Sequence, residues 1–214
     1  MKNLKILKTI KILYEDEHCL VIDKPAGLAV QGGKGVKSSV DTILAEIRAP
    51  APLLVHRLDK DTSGVLLTAK TKEDAARFSR LLGTDRQAVK RYIAVCAGSP
   101  EKKEGIIAQD LMIKGSLKKS ETRYKVLKSG EFSVLELELG TGRMHQIRRH
   151  LALSGNPVLG DDKYGDFALN KKLRKEAGLK RLLLHSSRLM IKNEFQLDIE
   201  APLPEYFKAF TSFS

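Results

Sequence analysis

The stretch LLVHRLDKDTSGVLLTAK, residues 53–70, places a cluster of ionisable side chains between two apolar runs, 53–55 and 65–67. The two runs predict a pair of strands. The ionisable residues between them are His56, Arg57, Asp59, Lys60 and Asp61. Because burying charge between strands is costly unless partners are supplied, this stretch is the first candidate for a chemical site.

The residues alone leave several interpretations of Asp59 and Asp61 open. With Ser63 they imitate the two-aspartate signature of haloacid dehalogenase-type phosphatases, but charged residues interrupt the hydrophobic strand that should precede that signature. A glycosidase pair needs two carboxylates about 5 to 9 Å apart, so both would have to lie in a turn. A single catalytic carboxylate fits better. The plain structural interpretation is a turn over residues 61–64, with Asp59 as an exposed loop charge.

The composition favours a polyanionic partner. The chain has 214 residues, 42% of them hydrophobic, and a formal net charge of +12. A surplus of this size favours nucleic acid, although a basic surface kept for solubility has the same composition. Basic residues cluster at 102–120, 148–150 and 170–181. No apolar run reaches membrane-spanning length and the first residues lack a secretory signal, so we expect a cytoplasmic protein without a membrane partner.

Metal, redox and nucleotide triphosphate chemistry are not indicated. Cys19 and Cys96 are too few for a disulfide framework and are expected to be buried thiols. The histidines do not have zinc-binding spacing. The glycine-rich stretch 31–39 lacks a glycine directly before its Lys-Ser pair, which excludes a Walker loop. We therefore expect no metal and no cofactor.

Apolar periodicity predicts an α+β fold with a mainly antiparallel sheet. The predicted elements are a hairpin over 11–24, helices over 40–47, 75–83 and 145–153, strands over 88–98, 121–128, 132–140, 181–192 and 195–202, and a terminal helix over 205–213. Thr71 and Asp74 form an imperfect capping box before the second helix. Strands occur in consecutive groups rather than alternating with helices, which argues against a parallel sheet.

Five ordered motifs resemble the RluA-type pseudouridine synthases. The central one is His56-Arg57-Leu58-Asp59 followed by Asp61-Thr62-Ser63-Gly64. The others are ILYEDEHCLVIDKPAG near the start, VKRYIAV at 89–95, TGRMHQIRRHLALSGNPVLGDDKYG at 141–165 and RLLLHSSRL at 181–189. Together the motifs span residues 12–190. The sequence of residues 160–185 is similar to that of the branch that modifies large-subunit ribosomal RNA.

The resemblance implies a single catalytic domain over 1–214, with a mixed, mostly antiparallel sheet flanked by helices and a central RNA-binding cleft. The implied activity is isomerisation of uridine to pseudouridine in structured RNA, most of all ribosomal RNA, by a monomer that uses no cofactor. That branch commonly carries an S4-like domain before the catalytic one. Because the motifs begin by residue 12, we expect no S4-like domain here.

The resemblance also implies roles for single residues. Asp59 is the catalytic carboxylate, Arg148 keeps it ionised, and Tyr92 stacks on the target base and helps to remove its C5 proton. Arg57 fills the space that the flipped uridine leaves. Lys90 is expected to bind RNA.

Four further motif residues have two possible roles: they contact RNA or they brace the catalytic loop. They are His56, Arg143, His145 and Gln146. The chain has Met144 where the family usually has a small polar residue, and Ser186 where it usually has alanine. Both departures bear on substrate choice.

Three alternatives stay open in the sequence. The target could be a uridine of transfer RNA. The chain could also be a catalytically silent RNA-binding or ribosome-assembly module, which would have no need for Asp59, Tyr92 and Arg148 together. A phosphatase would require magnesium and a second acidic cluster, which Asp161-Asp162 only weakly imitates.

Overall fold

The computed structural model describes residues 10–83, 87–192 and 195–211. The chain consists of two compact units, Met1–Val89 with Ser186–Pro202 and Lys90–His185 with Leu203–Ser214. The expected single catalytic domain therefore stays a prediction. Within the described ranges, no helix is both long and apolar enough to cross a lipid bilayer.

The first unit is built on an antiparallel sheet. Its elements are β1 (Lys11–Glu15), β2 (Cys19–Lys24), α1 (Val40–Ile47), β3 (Leu53–Leu54), β4 (Ser63–Ala69), α2 (Lys72–Gly83), most of β11 (Leu184–Ile191) and β12 (Leu197–Glu200). The strand order is β1-β2-β4-β11, with β3 paired to β4 and β12 to β11. Strand β1 pairs antiparallel with β2, both β2 and β3 pair antiparallel with β4, and β11 pairs antiparallel with β12.

Helix α2 closes the core of this unit. Its Phe78 and Leu81 pack in one apolar cluster with side chains of β2, β4 and β11. The Asp74 backbone N–H donates to Thr71 Oγ1 at 3.0 Å, so Thr71 caps the helix as its sequence predicts. The strands β2 and β4 carry almost continuous apolar runs because both are buried in the middle of the sheet.

The second unit contains four antiparallel neighbouring strands, a separate two-stranded ribbon and two longer helices. Its elements are most of β5 (Ala88–Ala97), β6 (Glu104–Ile107), β7 (Leu111–Ile113), β8 (Ser116–Lys118), β9 (Thr122–Lys128), β10 (Phe132–Leu139), α3 (Gln146–Leu153), α4 (Phe167–Glu176), a 3₁₀ turn (Glu205–Phe207) and α5 (Lys208–Thr211). The strand order is β5-β10-β9-β6, and β7 and β8 form a separate ribbon.

A buried histidine on α3 holds the segment that carries this ribbon. Both ring nitrogens of His150 lie 2.9 Å from an oxygen, Nδ1 from Thr122 Oγ1 and Nε2 from the Gln109 carbonyl. Because a carbonyl only accepts, Nε2 carries the proton. Burial lowers the pKa of His150, which favours this neutral form. The imidazole therefore anchors both ends of the 109–122 segment to one helix.

The α+β class and most predicted elements are confirmed. The hairpin at the start, the three helices around 40–47, 72–83 and 146–153, and the long strands all lie close to their predicted positions. The terminal helix begins at Glu205 and is described to Thr211, and residues 212 and 213 lie outside the described part. Three elements were missed: β6, the β7–β8 ribbon, and α4, whose sequence was interpreted only as a basic cluster.

Candidate active site

The loop between β3 and β4 presents the central motif of the first unit. Leu53 pairs with Ala69 and Leu54 with Thr68, so residues 55–62 form the connection between two antiparallel strands. The Thr62 N–H donates to the Asp59 carbonyl at 3.2 Å, which tightens the end of this loop. The Asp59 side chain is half-buried and Arg57 is exposed. The two apolar runs are therefore strands as predicted, and the loop presents an acid beside an accessible guanidinium.

The predicted turn over residues 61–64 is only partly correct. Ser63 and Gly64 belong to β4, and the turn itself lies at Lys60 and Asp61. Gly64 has a φ of +108° and lies so close to β11 that a Cβ would come within 2.1 Å of the Ser186 carbonyl oxygen. Only glycine fits there, because both the backbone conformation and the space exclude a side chain.

The buried lysine Lys24, which was not among the predicted site residues, holds this loop through hydrogen bonds. Lys24, at the end of β2, is 0% exposed. Its ammonium donates to the carbonyls of Pro25, Leu28 and Lys60 at 2.9, 2.8 and 2.9 Å. An ammonium has three N–H groups, so all of them are used. Lys24 thereby fastens the turn after β2 to the loop that carries Asp59.

Burial lowers the pKa of Lys24 to about 7, and the charges of Asp61 and Asp59 oppose that shift. The three carbonyl acceptors also favour the ammonium form. A buried cation thus lies within electrostatic reach of the acids in the motif. The signal in the sequence was a lysine in a strand that begins with four apolar residues, Cys19 to Ile22.

Replacing Lys24 with methionine is expected to lower the free energy of unfolding by about 2 kcal/mol, because one buried and two partly buried carbonyls lose their donor. Urea denaturation measures this loss. Lys60→Met is the matched control, because its side chain is exposed and only its carbonyl takes part in the contact. If Lys24→Met is as stable as Lys60→Met, the cost of burying the ammonium outweighs its hydrogen bonds.

His56 lies in the same loop. Its Nε2 accepts the Leu67 N–H at 3.0 Å, so this nitrogen carries no proton. The imidazole links the loop back to β4. The two roles predicted for His56, contact with RNA and bracing of the catalytic loop, stay predictions.

In the second unit, Arg148 on α3 is held by a carboxylate. Its Nε donates to Asp161 Oδ2 and its Nη2 to Asp161 Oδ1, both at 2.7 Å. The side chains of Arg148 and Asp161 are 5% and 1% exposed. Burial alone would raise the pKa of Asp161, but the hydrogen bonds from Arg148 and the amides of Tyr164 and Lys163 hold it below its usual value. The result is a buried two-bond ion pair of fixed geometry.

The loop after α3 is shaped around Asp161. Besides Arg148, its Oδ1 accepts the Lys163 and Tyr164 amides at 2.9 and 3.0 Å. Asn170 of α4 donates to the Asp161 carbonyl at 3.0 Å and accepts the Gly160 N–H at 2.8 Å. The Asp161 carboxylate is therefore held in place, and it binds one edge of the Arg148 guanidinium.

An aromatic ring also lies close to the guanidinium. The Arg148 guanidinium carbon lies 5.3 Å from the centre of the Tyr164 ring. The Tyr164 hydroxyl is 3.1 Å from His145 Nδ1, and the two rings meet edge to face. His145 has a φ of +53° and precedes α3 directly. Tyr164 therefore links the predicted residues His145 and Arg148.

Gln146 is the first residue of α3. It is 2% exposed, its Oε1 accepts from Thr141 Oγ1 and the Arg143 N–H, and its Nε2 donates to the Glu121 carbonyl and Thr122 Oγ1. All of its hydrogen-bonding capacity is used within the unit. Gln146 therefore ties the start of α3 to residues 121–122 and 141–143. Contact with RNA or bracing of the catalytic loop stays a prediction for Gln146 and for Arg143, whose side chain is exposed.

Strand β5 carries the last two predicted residues. Tyr92 is 6% exposed and pairs with Leu137 of β10. Lys90 is half-buried, and burial lowers its pKa. The proposed RNA contacts of both residues stay predictions.

The predicted residues thus fall into two groups. The first unit contains His56, Arg57 and Asp59, and the second contains Lys90, Tyr92, Arg143, His145, Gln146 and Arg148. The predicted effect of Arg148 on Asp59 stays a prediction. Within the described ranges, no group of three or more His, Cys, Asp or Glu side chains is arranged to hold a metal ion.

Comparison with known proteins identifies the family. The family model described as RNA pseudouridylate synthase matches residues 18–153. The chain belongs to the RNA pseudouridylate synthase family. The predicted resemblance and the predicted enzyme class are therefore confirmed.

Individual relatives agree with this membership. Ribosomal large subunit pseudouridine synthase C of Rickettsia typhi is 35% identical over 226 residues, which cover 97% of this chain and 72% of the relative. The protein of the same name from Salmonella typhi is 39% identical over 216 residues, covering 92% and 67%. The solved structure of human RNA pseudouridylate synthase domain containing 4 is similar at a TM-score of 0.83 and 27% identity, covering 97% of this chain and 95% of that one.

Proposed function

We propose that this pseudouridylate synthase acts on large-subunit ribosomal RNA and uses Asp59 as its nucleophile. The proposed substrate rests on the similarity to ribosomal large subunit pseudouridine synthases, which extends over more than nine-tenths of this chain. The net charge of +12 supports a polyanionic substrate.

The reaction breaks the bond between C1′ and N1 of uridine, turns the uracil and joins C1′ to C5. The C5 proton leaves, N1 gains a proton, and no group or electron is lost. A carboxylate suits this chemistry because it can attack an electron-poor anomeric carbon and later leave it. Asp59 is the candidate, since it lies half-buried on a loop fastened by Lys24. Tyr92 and Arg148 take the roles that the family resemblance implies, removal of the C5 proton and support of the negative charge.

Target uridines inside folded RNA must leave the base stack, which costs a few kcal/mol. Arg57 is the candidate to fill the vacated position, because it is exposed and two residues from Asp59. Its planar guanidinium can stack on the neighbouring bases or donate hydrogen bonds to them.

Arg57→Ala is expected to reduce kcat/KM on a structured RNA by about tenfold more than on an unpaired oligonucleotide with the same target uridine, since only the structured RNA has a stack to fill. Single-turnover assays on the two RNAs measure the difference. Equal losses on both would contradict the base-replacement role. Arg80→Ala, which changes an exposed arginine of α2, is the control for loss of one positive charge.

The test of the substrate is pseudouridine mapping. An unmodified transcript of Salmonella typhi large-subunit ribosomal RNA is incubated with the enzyme in buffer containing a chelator, and a pool of unmodified transfer RNA is treated in parallel. We expect pseudouridine at discrete positions of the ribosomal transcript alone. Modification of transfer RNA alone would favour the alternative target, and binding of RNA without modification of either would favour a silent RNA-binding module.

A further inference from the structure

Helix α4 is anchored on one side only. Its first turn is capped by Asp166, whose Oδ1 accepts the Leu169 N–H at 2.9 Å. Leu173 is buried and packs in the core of the second unit, and Leu169 packs against that core. Asn170, 3% exposed, fastens the helix to the Asp161 loop. Packing and hydrogen bonds within the unit therefore account for the residues on this side of α4.

The exposed surface of α4 combines an aromatic ring with cations. An α-helix turns 100° per residue, so residues at spacings of three, four, seven and eight share a face. Phe167, Lys171, Arg174 and Lys175 have this spacing, and we call them the α4 stripe. All four side chains are exposed, and Phe167 retains 62% of its accessible surface. In the described part of the chain, the three cations of the stripe form no ion pair.

Ordinary helix chemistry explains only part of this stripe. Cations near the last turn stabilise the helix dipole, which accounts for Arg174 and Lys175. Phe167, at the first turn of the helix, gains nothing from that effect, and exposing its apolar ring to water is unfavourable in free energy. Lys172 is not part of the stripe and shows the ordinary arrangement, because it pairs with Glu176 at 3.9 Å.

An exposed ring in line with cations matches the chemistry of single-stranded RNA. Unpaired bases stack on aromatic rings, and the phosphates that follow them along the strand are bound by lysine and arginine. Double-stranded RNA would offer phosphates but no free base face for Phe167. Charge complementarity and the ring together therefore favour an unpaired RNA segment.

Hydrogen bonds also link the helix that carries the stripe to the Arg148–Asp161 ion pair. Asn170 joins α4 to the same loop whose Asp161 binds Arg148. An RNA segment seated on the stripe would therefore occupy a fixed position relative to this loop. The stripe could then select among RNAs without touching the target uridine.

We propose that the α4 stripe binds an unpaired segment of the RNA substrate outside the target uridine, with one base stacked on Phe167 and phosphates bound by Lys171, Arg174 and Lys175. This proposal rests on the proposed function only in taking RNA as the substrate. The stripe adds affinity and substrate selection, and it takes no part in the chemistry.

The experiment compares three variants with the wild type by filter binding to the unmodified ribosomal transcript at several salt concentrations. For Lys171→Gln/Arg174→Gln we expect at least a tenfold loss of affinity and a salt slope that is smaller by about 1 to 2, because about 0.7 to 0.9 counterions are released per phosphate bound. For Phe167→Ala we expect a loss of about fivefold or more with an unchanged slope, because stacking is not ionic. The matched control is Lys172→Gln, which removes one charge from the same helix and should change affinity less than twofold.

Equal RNA affinity in the stripe variants and the control would overturn the proposal. So would binding of the wild type to vesicles of anionic phospholipid that the stripe variants lose while their RNA affinity stays unchanged, because the stripe would then be a membrane-binding face. Concentration-dependent dimerisation that Phe167→Ala abolishes, again with unchanged RNA affinity, would assign the stripe to self-association. Thermal unfolding confirms that each variant is folded. Because the readout is binding, a wild type that forms no pseudouridine would refute the proposed function and still leave the stripe testable.

Discussion

Replacing Asp59 with asparagine is expected to lower kcat for pseudouridine formation by roughly 10⁴-fold, while RNA affinity changes less than threefold. Asparagine has nearly the same shape but no negative charge, so it can neither attack C1′ nor stabilise positive charge there. The loop should keep its conformation, because the Asp59 backbone carbonyl, which the substitution leaves in place, accepts the Thr62 N–H. Single-turnover assays on the ribosomal transcript measure the rate, and filter binding measures the affinity.

Asp61→Asn is the matched control for this experiment. It is the same chemical change two residues away, at the turn before β4, and it should reduce the rate less than tenfold. A wild-type rate in Asp59→Asn would refute the nucleophile assignment. A loss in Asp61→Asn as large as that in Asp59→Asn would show that the charge of the whole loop matters more than one carboxylate.

Local sequence patterns were sufficient for the elements whose apolar faces repeat regularly. Strands β2 and β4 carry unbroken apolar runs, and α2 repeats its apolar residues at helical spacing after Thr71. Such patterns report burial directly, because one face of each element must leave water. The strands that flank the central motif were predicted for the same reason.

Helix α4 was missed because burial leaves little trace in its sequence. Only Asn170 and Leu173 are buried along its length, and one of these two is polar. Half of its other positions are lysine or arginine, which suit a helix and a charged loop equally well. The side of α4 that faces the core is identified by the tertiary contacts of Leu169, Asn170 and Leu173.

The partners of charged side chains could not be predicted from the sequence. Lys24 binds carbonyls of three residues, one of them 36 positions away, and Asp161 binds an arginine 13 positions before it. Asp161 had been considered only as a weak imitation of a second phosphatase acid. Bound to Arg148, it is instead the carboxylate that orients a predicted catalytic residue.

Asp161→Asn is expected to have the second largest effect, and it acts through Arg148. Removing one partner of a buried ion pair leaves the other charge uncompensated, which costs about 3 to 5 kcal/mol. The amide would also point an N–H group at the N–H groups of Arg148. We expect a free energy of unfolding lower by about 3 kcal/mol and, at a temperature where the variant is folded, a kcat reduced by roughly 10²-fold with a nearly unchanged KM.

Asp162→Asn provides the control, because Asp162 follows directly, is 73% exposed and lies 3.5 Å from the same Arg148 Nη2. An exposed pair of this kind contributes less than about 1 kcal/mol, so the control should be nearly as stable and as active as the wild type. The pKa of Asp161 is lower in the folded protein than its ordinary value of 3.8, so the stability from its charge is complete above that pH and is lost as the pH falls through the folded pKa. The stability difference between wild type and Asp161→Asn should therefore shrink in acid, and a difference that stays constant down to pH 2 would show that the ion pair is not its source. A kcat that falls equally in Asp161→Asn and Asp162→Asn would refute the positioning role, because only Asp161 holds the guanidinium through two bonds.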